Sequence, residues 1–508
     1  MTKKSNLRVS AIIDYIVEIE GKYDFSQNSW FTNKEGDVSL YLLQANEDKA
    51  YCISNDELHK INIGDEVFEK EKDIITESKF FNSIIDIYGN VLTTNATSKN
   101  KSKELQSGST LYGKFIPLTE YKPIDTQLKT GYLIIDLITP IGLGQRQLII
   151  GDRKTGKTHL ALNTIINQAN KNIKCIYVAI GQNKNSVSEV YQTLINSDVM
   201  KNTIIIHASA SNPYEQYLAP YIGMLHAENI SKEDDVLIVF DDLTTHANIF
   251  REIALLTNKP VGKEAYPGDM FFAHSRLLER SGNFKNRKSI TALPIVQTID
   301  GDITSAIASN IISITDGQIV TSSKQFDLGK RPAIDIDLSV SRVGASAQSK
   351  SMAKLAKQIA KLYKAYRRQI KLANINYSLN EEANNLMNNG QIIEKMFNQP
   401  NIAKYDEKSV FIFSKLLIWN ILSKIDTPEL SCLIITKLID QDNQSKDLYE
   451  ALKNNKDVDE NMIKNYFAFM LKEVANKLAL NWNIKVENEF IKPEDKLINN
   501  IIAELGDK

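Results

Sequence analysis

The segment 151–158, with the sequence GDRKTGKT, constrains the fold of this chain more than any other feature. It matches the pattern GxxxxGK[ST], follows the apolar run QLII and precedes THLALNTIINQAN, which has helical periodicity. Glycines at such a turn let main-chain N–H groups surround phosphate oxygens at the positive end of a helix. The alternative is a glycine turn that merely links a strand to a helix. We predict that the loop binds ATP or ADP through Gly151, Asp152, Arg153, Lys154, Thr155, Gly156, Lys157 and Thr158.

Two residues of this loop and one later carboxylate predict a magnesium nucleotide. Lys157 is expected to reach the β and γ phosphates, and the Thr158 hydroxyl to ligate Mg²⁺. Asp241 ends the apolar strand VLIVFD, where a neighbouring strand would present it beside Thr158. The alternative for such an aspartate is a helix cap or a turn residue, which we expect for Asp242. We therefore assign the metal to Thr158 and Asp241.

Hydrolysis also requires a group that activates the attacking water. In many motor ATPases with this loop, a glutamate ends the strand that follows the loop's helix. Here that strand is KCIYVAIG, and the next residue is Gln182. An amide can orient water but cannot accept its proton. The sequence therefore predicts a site that holds nucleotide and lacks one catalytic group.

The pattern of apolar and turn residues changes along the chain and predicts a multidomain fold. Residues 1–77 contain short β-prone runs between turns, typical of a small β-barrel whose strands we expect to begin near Ile12. Residues 78–348 alternate apolar strands with helical patterns, as in an α/β RecA-like P-loop nucleotide-binding domain with a mostly parallel sheet. Its strands are expected at 147–151, 174–181, 202–209, 235–242 and 311–320.

Residues 349–508 predict an α-helical bundle, with breaks near Asn389-Gly390, Gln399-Pro400 and 426–428. The longest apolar stretch, 410–425, is interrupted by Lys415 and is expected to be a core helix and not a membrane span. The N-terminus lacks the features of a signal peptide. We expect a cytoplasmic protein that is peripheral at the inner face of the cell membrane only through its partners.

Charge and cysteine content narrow the function classes. Lys plus Arg is 61 and Asp plus Glu is 62, so the formal charge is −1, which excludes a globally basic nucleic-acid coat. The cysteines, Cys52, Cys175 and Cys432, are three in number and far apart, which predicts neither a disulfide framework nor a zinc site.

Four stretches resemble the α subunit of F-type rotary ATPases: 140–158, 262–280, 310–319 and 331–348. The last contains the family signature Pro-Ala-Ile-Asp…Ser-x-Ser. The resemblance implies a ring of three α and three β subunits around a γ-like central shaft. It also implies that catalysis occurs at β sites, while α binds nucleotide without hydrolysing it. Gln182 stands where α subunits carry Gln and catalytic β subunits carry Glu.

The resemblance assigns roles to further residues. Arg342 falls on the family's arginine finger, which reaches into the neighbouring β site, and Ser313 and Val340 line that site. Arg331 and Pro332 resemble the pair that flanks the adenine. The alternatives are a structural ion pair for Arg342 and a buried strand position for Ser313.

Departures from the family lie in the phosphate loop, in the adenine pocket and, at both ends of the chain, on the surfaces expected to couple the ring to other parts. Lys154 and His159 replace a usual glutamine and a small residue, and FNQPNIA (397–403) stands where α subunits offer two glutamines. Asn398 is expected to substitute for one of them, and Pro400 for neither. We therefore expect a specialised ATP-driven motor with a different stator or output, for which surface gliding machinery is a candidate. The competing possibility is the α subunit of a housekeeping ATP synthase.

Two other classes share the phosphate loop. A hexameric RNA translocase of the termination-factor type would need a basic, aromatic N-terminal domain, whereas this one has surplus acids such as DEVFEKEKD. An independent homohexameric export ATPase would need a glutamate at position 182. We therefore expect a protein partner and no nucleic acid.

Overall fold

The structure is a computed structural model that describes residues 7–56, 60–70, 76–77, 80–94, 104–105, 111–113, 116–373, 381–399, 402–403, 405–456, 458–488 and 490–506. The chain folds into two compact units. The first unit comprises Met1–Leu128, Ile141–Gly329 and Ala333–Val343, and the second comprises Lys129–Pro140, Lys330–Pro332 and Gly344–Lys508. The division at 77/78 and 348/349 stays a prediction, and Ser78 lies outside the described residues.

The first unit begins with a closed β-barrel in the order β1-β2-β5-β4-β3-β6. The first strand begins at Leu7 and not near Ile12, so the predicted start was wrong. Leu7 and Val9 are buried, whereas Ile12 is 40% exposed. Successive side chains of a strand point to opposite faces, so Leu7 and Val9 both point into the barrel. Its strands are β1 (Leu7–Ile13), β2 (Ile16–Glu20), β3 (Trp30–Thr32), β4 (Leu40–Ala45), β5 (Lys49–Ser54) and β6 (Glu66–Lys70).

A mostly parallel sheet is the main β-structure in the rest of this unit. The remaining strands are β7 (Thr76–Glu77), β8 (Ser83–Ile85), β9 (Val91–Thr94), β10 (Glu104–Leu105), β11 (Gln127–Leu128), β12 (Ile141–Gly142), β13 (Leu148–Gly151), β14 (Ile173–Gln182), β15 (Thr203–Ser209), β16 (Asp235–Asp241), β17 (Ile290–Gln297), β18 (Gly317–Thr321) and β19 (Ile334–Ser341). As far as the structure describes the chain, nine of them form one sheet in the order β19-β18-β13-β17-β16-β14-β15-β8-β9. Its two edge strands pair antiparallel and its inner strands parallel.

This sheet carries the predicted nucleotide-binding strands. β13, β14, β15 and β16 confirm the predicted strands to within one residue at each end. Parallel pairing, through β17 in the case of β13, brings the carboxyl ends of β13, β14 and β16 to the same side, where an α/β sheet binds its ligands. The short ladders β7–β10 and β11–β12 lie outside this sheet.

Helices occupy the connections between the strands. The helices up to residue 327 are α1 (Leu133–Ile138), α2 (Lys157–Ile166), α3 (Lys184–Asn196), α4 (Pro213–Ile230), α5 (Leu243–Leu256), α6 (Gly268–Leu278), α7 (Ala306–Ile314) and α8 (Ser323–Asp327). The predicted strand over 311–320 was wrong in its first half, since α7 continues to Ile314 and β18 begins at Gly317. Ile307 and Ile311 are both buried, because residues four apart share one helix face.

The second unit is helical, as predicted, and includes α1. Its other helices are α9 (Lys350–Ala373), α10 (Glu381–Phe397), α11 (Glu407–Ile418), α12 (Pro428–Gln441), α13 (Asn443–Lys453), α14 (Glu460–Lys477) and α15 (Asp495–Gly506). The predicted break at Asn389-Gly390 was wrong, since α10 runs through it. A Cβ at Gly390 would lie 2.0 Å from Tyr366 Cγ, so this glycine admits the tyrosine ring against the helix.

The apolar stretch from Val410 lies mostly in α11, whose buried side chains include Phe411, Leu416 and Leu417, which confirms a core helix. In the portion of the chain with described positions, every helix is too short or too polar to cross a membrane. The barrel, the central α/β sheet and the C-terminal helices together confirm the predicted multidomain fold class.

Candidate functional site

The phosphate loop joins β13 to α2, as its sequence predicted. Gly156 has φ +90°, a left-handed conformation that glycine adopts without strain, and it precedes the first residue of α2. Lys157 Nζ and Thr155 Oγ1 both donate hydrogen bonds to the carbonyl of Asp152, at 2.5 and 2.8 Å. Hydrogen bonds to the Asp152 carbonyl therefore close the loop on itself. The main-chain N–H groups in the first turn of α2 have no partner within the helix and are available to a ligand.

Asp152 anchors the loop from outside. Its carboxylate accepts hydrogen bonds from Thr298 Oγ1 at 2.6 Å, the Gly301 N–H at 2.8 Å and Ser323 Oγ at 2.8 Å. Although burial opposes ionisation, these donors lower the pKa of Asp152 below its ordinary value. This side chain therefore fixes the loop.

The other cations of the loop differ in their placement. Arg153 is exposed and donates from Nε to Gln297 Oε1 at 3.0 Å, while Lys154 is exposed with φ +62°. Lys157 is only 7% exposed. Burial lowers the pKa of Lys157, and the charges of Asp242, Asp241 and Asp152 act in the opposite direction. A bound phosphate would add negative charge beside this buried amine and thereby stabilise its protonated form.

Thr158 and Asp241 meet as the sequence predicted. The Thr158 hydroxyl donates to Asp241 Oδ2 at 2.8 Å, across the loop and β16. Asp241 is buried at the end of β16. Within the described ranges, no three His, Cys, Asp or Glu side chains form a cation cage. This donor set fits Mg²⁺, which takes one or two protein ligands together with phosphate oxygens and water.

The adjacent Asp242 has a different role, the one expected for it. Its side chain caps α5 by accepting from the Thr245 N–H at 2.7 Å, and it also accepts a hydrogen bond from Gln297 Nε2. Burial, and then the charge of Asp241, raise the pKa of Asp242. Asp242 thus caps α5 and holds Gln297, while its neighbour Asp241 contacts Thr158.

Tyr177 is a site residue that sequence reasoning missed. It lies on β14 with its side chain fully buried, and its hydroxyl donates to Asp241 Oδ2 at 2.5 Å. Burial and the nearby Asp241 charge raise the pKa of Tyr177 well above its ordinary value, so the phenol stays a donor. A residue with a polar hydroxyl in the middle of an apolar strand was the available signal, but a tyrosine in such a strand is more often a core residue.

Gln182 ends β14 half-buried, beside the same carboxylate. Its Nε2 donates to Tyr177 OH at 3.2 Å and to the main-chain carbonyl of Asp241 at 3.1 Å. His207 Nε2 lies 3.0 Å from the Gln182 carbonyl. The structure therefore gathers Lys157, Thr158, Asp241, Gln182 and Tyr177 at one end of the sheet.

Arg342 and Ser313 lie elsewhere on this unit, at the sheet edge that β19 forms. Arg342 is exposed, and its Nη1 donates to the Thr315 carbonyl at 3.0 Å. Ser313 is exposed on α7 and not buried on a strand, and its hydroxyl donates to the Asn310 carbonyl at 2.6 Å. Val340 is 45% exposed on β19. These three residues share one accessible edge of the sheet.

Arg331 and Pro332 belong to the second unit. The Arg331 N–H donates to Asn398 Oδ1 at 2.8 Å, and the Gln399 N–H donates to the Arg331 carbonyl at 2.6 Å. Gln399 was not singled out from the sequence. Its side chain accepts from the Leu133 N–H at 2.6 Å and so braces the start of α1. The adenine-flanking roles of Arg331, Pro332 and Asn398 stay predictions, and Pro400 lies outside the described residues.

Comparisons with known proteins agree with this architecture. The family model described as ATP synthase alpha/beta family, nucleotide-binding domain, matches residues 131–341, and the model for the ATP synthase alpha/beta chain, C terminal domain, matches residues 348–474. The chain is 45% identical over 417 residues to ATP synthase subunit alpha 2 of Mycoplasmopsis pulmonis, covering 81% of each chain.

Two further relatives cover most of the chain. ATP synthase subunit alpha 1 of the same organism is 38% identical over 387 residues, covering 74% of this chain and 73% of the relative. ATP synthase subunit alpha of Mycoplasma genitalium is 39% identical over 366 residues, covering 70% of each chain. On the strength of these matches, the chain belongs to the α subunits of F-type ATP synthases.

Proposed function

We propose that this chain is the non-catalytic, nucleotide-binding subunit of an (αβ)₃ ring, and that it supplies Arg342 to the catalytic site of a neighbouring β-type subunit. A γ-like shaft would pass through this ring. Family membership removes the support for an RNA translocase or an independent homohexameric ATPase. The observation that carries the proposal is the hydrogen bonding of Gln182.

Gln182 stands where a water-activating carboxylate would be needed. Both of its amide hydrogens have partners, Tyr177 OH and the Asp241 carbonyl. The remaining atom, Oε1, can accept a hydrogen bond from a water but cannot remove its proton. The site is therefore suited to retaining a nucleotide and poorly suited to hydrolysing it.

The residues for retention are in place. The N–H groups of the loop and Lys157 would bind the phosphates, and Thr158 and Asp241 would hold Mg²⁺. When bound, the metal would neutralise phosphate charge. Three further residues hold these groups in place. Asp152 anchors the phosphate loop, and Gln182 and Tyr177 hydrogen-bond to Asp241.

The exposure of Arg342 supports its role in a neighbouring site. Its side-chain partners are the main-chain carbonyls of Thr315 and Ile312 and not a carboxylate, so the alternative of an ion pair has no support among the described residues. A guanidinium offers a planar fork of donors that matches phosphate oxygens. Ser313, on the same edge, would line that site.

We propose a specialised ring over a housekeeping synthase because the sequence departs from the family pattern at 397–403, and gliding machinery stays our candidate output. The chain is 45% identical to the alpha 2 subunit and 38% identical to the alpha 1 subunit of one organism, so it is similar to both copies. The expected cytoplasmic position, peripheral at the membrane through partners, also stays a prediction.

The test is reconstitution of the ring from this chain and a β-type chain of the same organism. We expect alternating hexamers that hydrolyse ATP, in which the Arg342→Ala variant assembles and does not hydrolyse ATP. Isolation of the native complex through a tag on this chain would then identify its shaft and stator. Recovery of a complete set of synthase membrane subunits would contradict the specialised motor and favour the housekeeping alternative.

A further inference from the structure

We propose that Tyr177 is a positioning residue that fixes the metal-side carboxylate of Asp241 and the amide of Gln182 in a single arrangement. This inference rests on the proposed function, because it concerns how the nucleotide site holds its magnesium ion. It adds a role for a buried strand residue outside the phosphate loop.

The first support is the donor that Asp241 receives from inside the sheet. Tyr177 is fully buried, and its hydroxyl lies 2.5 Å from Asp241 Oδ2. Hydrogen bonds from a neutral donor to a carboxylate are short and stronger than those between neutral groups. Because β14 and β16 are paired in parallel, with Tyr177 opposite Val239, the phenol reaches the carboxylate two residues further along.

The second support is the direction of the hydrogen bonds. A phenol has one hydrogen, and Tyr177 gives it to Asp241, so its oxygen can only accept from Gln182 Nε2 at 3.2 Å. Gln182 gives its second hydrogen to the Asp241 carbonyl at 3.1 Å. The hydrogen bonds therefore run from Gln182 through Tyr177 to Asp241, and each donated hydrogen has one defined acceptor.

The third support is that Thr158 shares the same carboxylate oxygen. Its hydroxyl donates to Asp241 Oδ2 at 2.8 Å, from the side of the phosphate loop. Two donors from different elements, Thr158 on α2 and Tyr177 on β14, restrict the rotation of the carboxylate more than one donor would. Partners that orient a metal-binding carboxylate commonly change metal affinity by about 10–100-fold when they are removed.

The experiment measures binding of a ribose-labelled fluorescent ATP to the full-length chain, first in excess Mg²⁺ and then in EDTA. The ratio of the two dissociation constants gives the gain in affinity due to the metal. In Tyr177→Phe we expect this gain to fall about tenfold, with unchanged binding in EDTA, because the phosphate loop is untouched. The matched control is Tyr221→Phe, since Tyr221 is equally buried and its hydroxyl has no hydrogen-bond partner among the described residues.

A second variant tests the coupling. Gln182→Met removes both amide donors and keeps a similar side-chain volume, so it should reduce the metal-dependent gain by a smaller factor. The double variant should lose little more of the metal-dependent gain than Tyr177→Phe alone, because both residues act through Asp241. A gain equal to that of the unsubstituted chain in both single variants would overturn the proposal, as would two losses that simply multiply. If the unsubstituted chain bound no nucleotide in either condition, the proposed function would fail instead.

Discussion

Arg342 Nη1 donates a hydrogen bond to the main-chain carbonyl of Thr315 at 3.0 Å, just beyond the C-terminal end of α7. Carbonyls at a helix end carry partial negative charge, and a cation is favourable there. They bind a guanidinium less strongly than a carboxylate would. The arginine is therefore held at the exposed sheet edge by acceptors that a phosphate can outcompete.

Replacing Arg342 with alanine should reduce ATP turnover of the reconstituted ring by about 10³–10⁵-fold, because an arginine finger stabilises transition-state charge to that degree. Arg342→Lys should also fail, since an ammonium lacks the planar fork. Steady-state turnover and size-exclusion chromatography measure activity and assembly. Arg368→Ala, at an exposed position on α9, is the control and should retain activity. Unchanged turnover in Arg342→Ala would remove the finger role.

Replacing Lys157 with methionine should weaken nucleotide binding to this chain and reduce ring turnover only in part. The ammonium is the buried cation of the phosphate loop, but its site is not the hydrolytic one in our account. Equilibrium dialysis of the chain and turnover of the ring measure the two effects. A turnover loss as complete as that caused by substituting the lysine of the β-type partner's own loop would mean that this site is catalytic.

The Gln182→Glu variant alone should not create ATPase activity. Its carboxylate would face the Asp241 carbonyl and the Tyr177 oxygen without a hydrogen to give either, and a neighbouring subunit would still have to supply an arginine. The measurement is ATP turnover by rings that contain this variant and an inactivated β-type partner, so that only the site of this chain can hydrolyse ATP. Activity well above that of the matched ring with Gln182 would contradict the expectation.

In the helical unit, Gly390→Ala should lower the free energy of unfolding by about 1–3 kcal/mol. The added Cβ would lie 2.0 Å from Tyr366 Cγ, and overpacking outweighs the better helix propensity of alanine. Urea unfolding measures the change. Gly268→Ala, at the first residue of α6 in the first unit, is the control for a glycine-to-alanine change without a clash, because a Cβ there meets nothing within 4 Å. An equal effect of the two substitutions would show that the Tyr366 contact is unimportant.

Stability should also fall with acid below about pH 6.5. Burial lowers the pKa of His226 and of His246 to about 4, so the unfolded chain binds protons that the folded chain cannot. Each such histidine destabilises the fold by at most about 1.4 kcal/mol per pH unit between about pH 6.5 and 4. His226→Phe should flatten this slope in urea titrations at several pH values. A slope identical to that of the unsubstituted chain would contradict the burial effect.

The sequence was sufficient where local chemistry is distinctive. The glycine loop and the apolar strand that ends in Asp241 specify their own geometry, and the structure joins Thr158 to Asp241 as expected. The barrel strands followed from alternation, apart from the first. There Leu7, Arg8 and Val9 do alternate, but the three residues lie next to the charged N-terminal segment and are too few to define a strand start by themselves.

Tertiary context decided the remaining cases. Tyr177 resembles a core residue until its partner on β16 is known, because strand pairing supplies Asp241. Gly390 resembles a helix break until Tyr366 is found packed against it. Ser313 follows β-branched residues that favour a strand, yet the buried pair Ile307 and Ile311 fixes a helix there.

Steady-state ATP hydrolysis by the purified full-length chain, alone and then assembled with its β-type partner, tests the central claim most directly. The claim is that this subunit holds a nucleotide that it does not hydrolyse and completes its neighbour's site with Arg342. The account predicts no turnover above background for the chain alone and rapid turnover in the ring. Turnover by the chain alone at the rate of the assembled ring would contradict it.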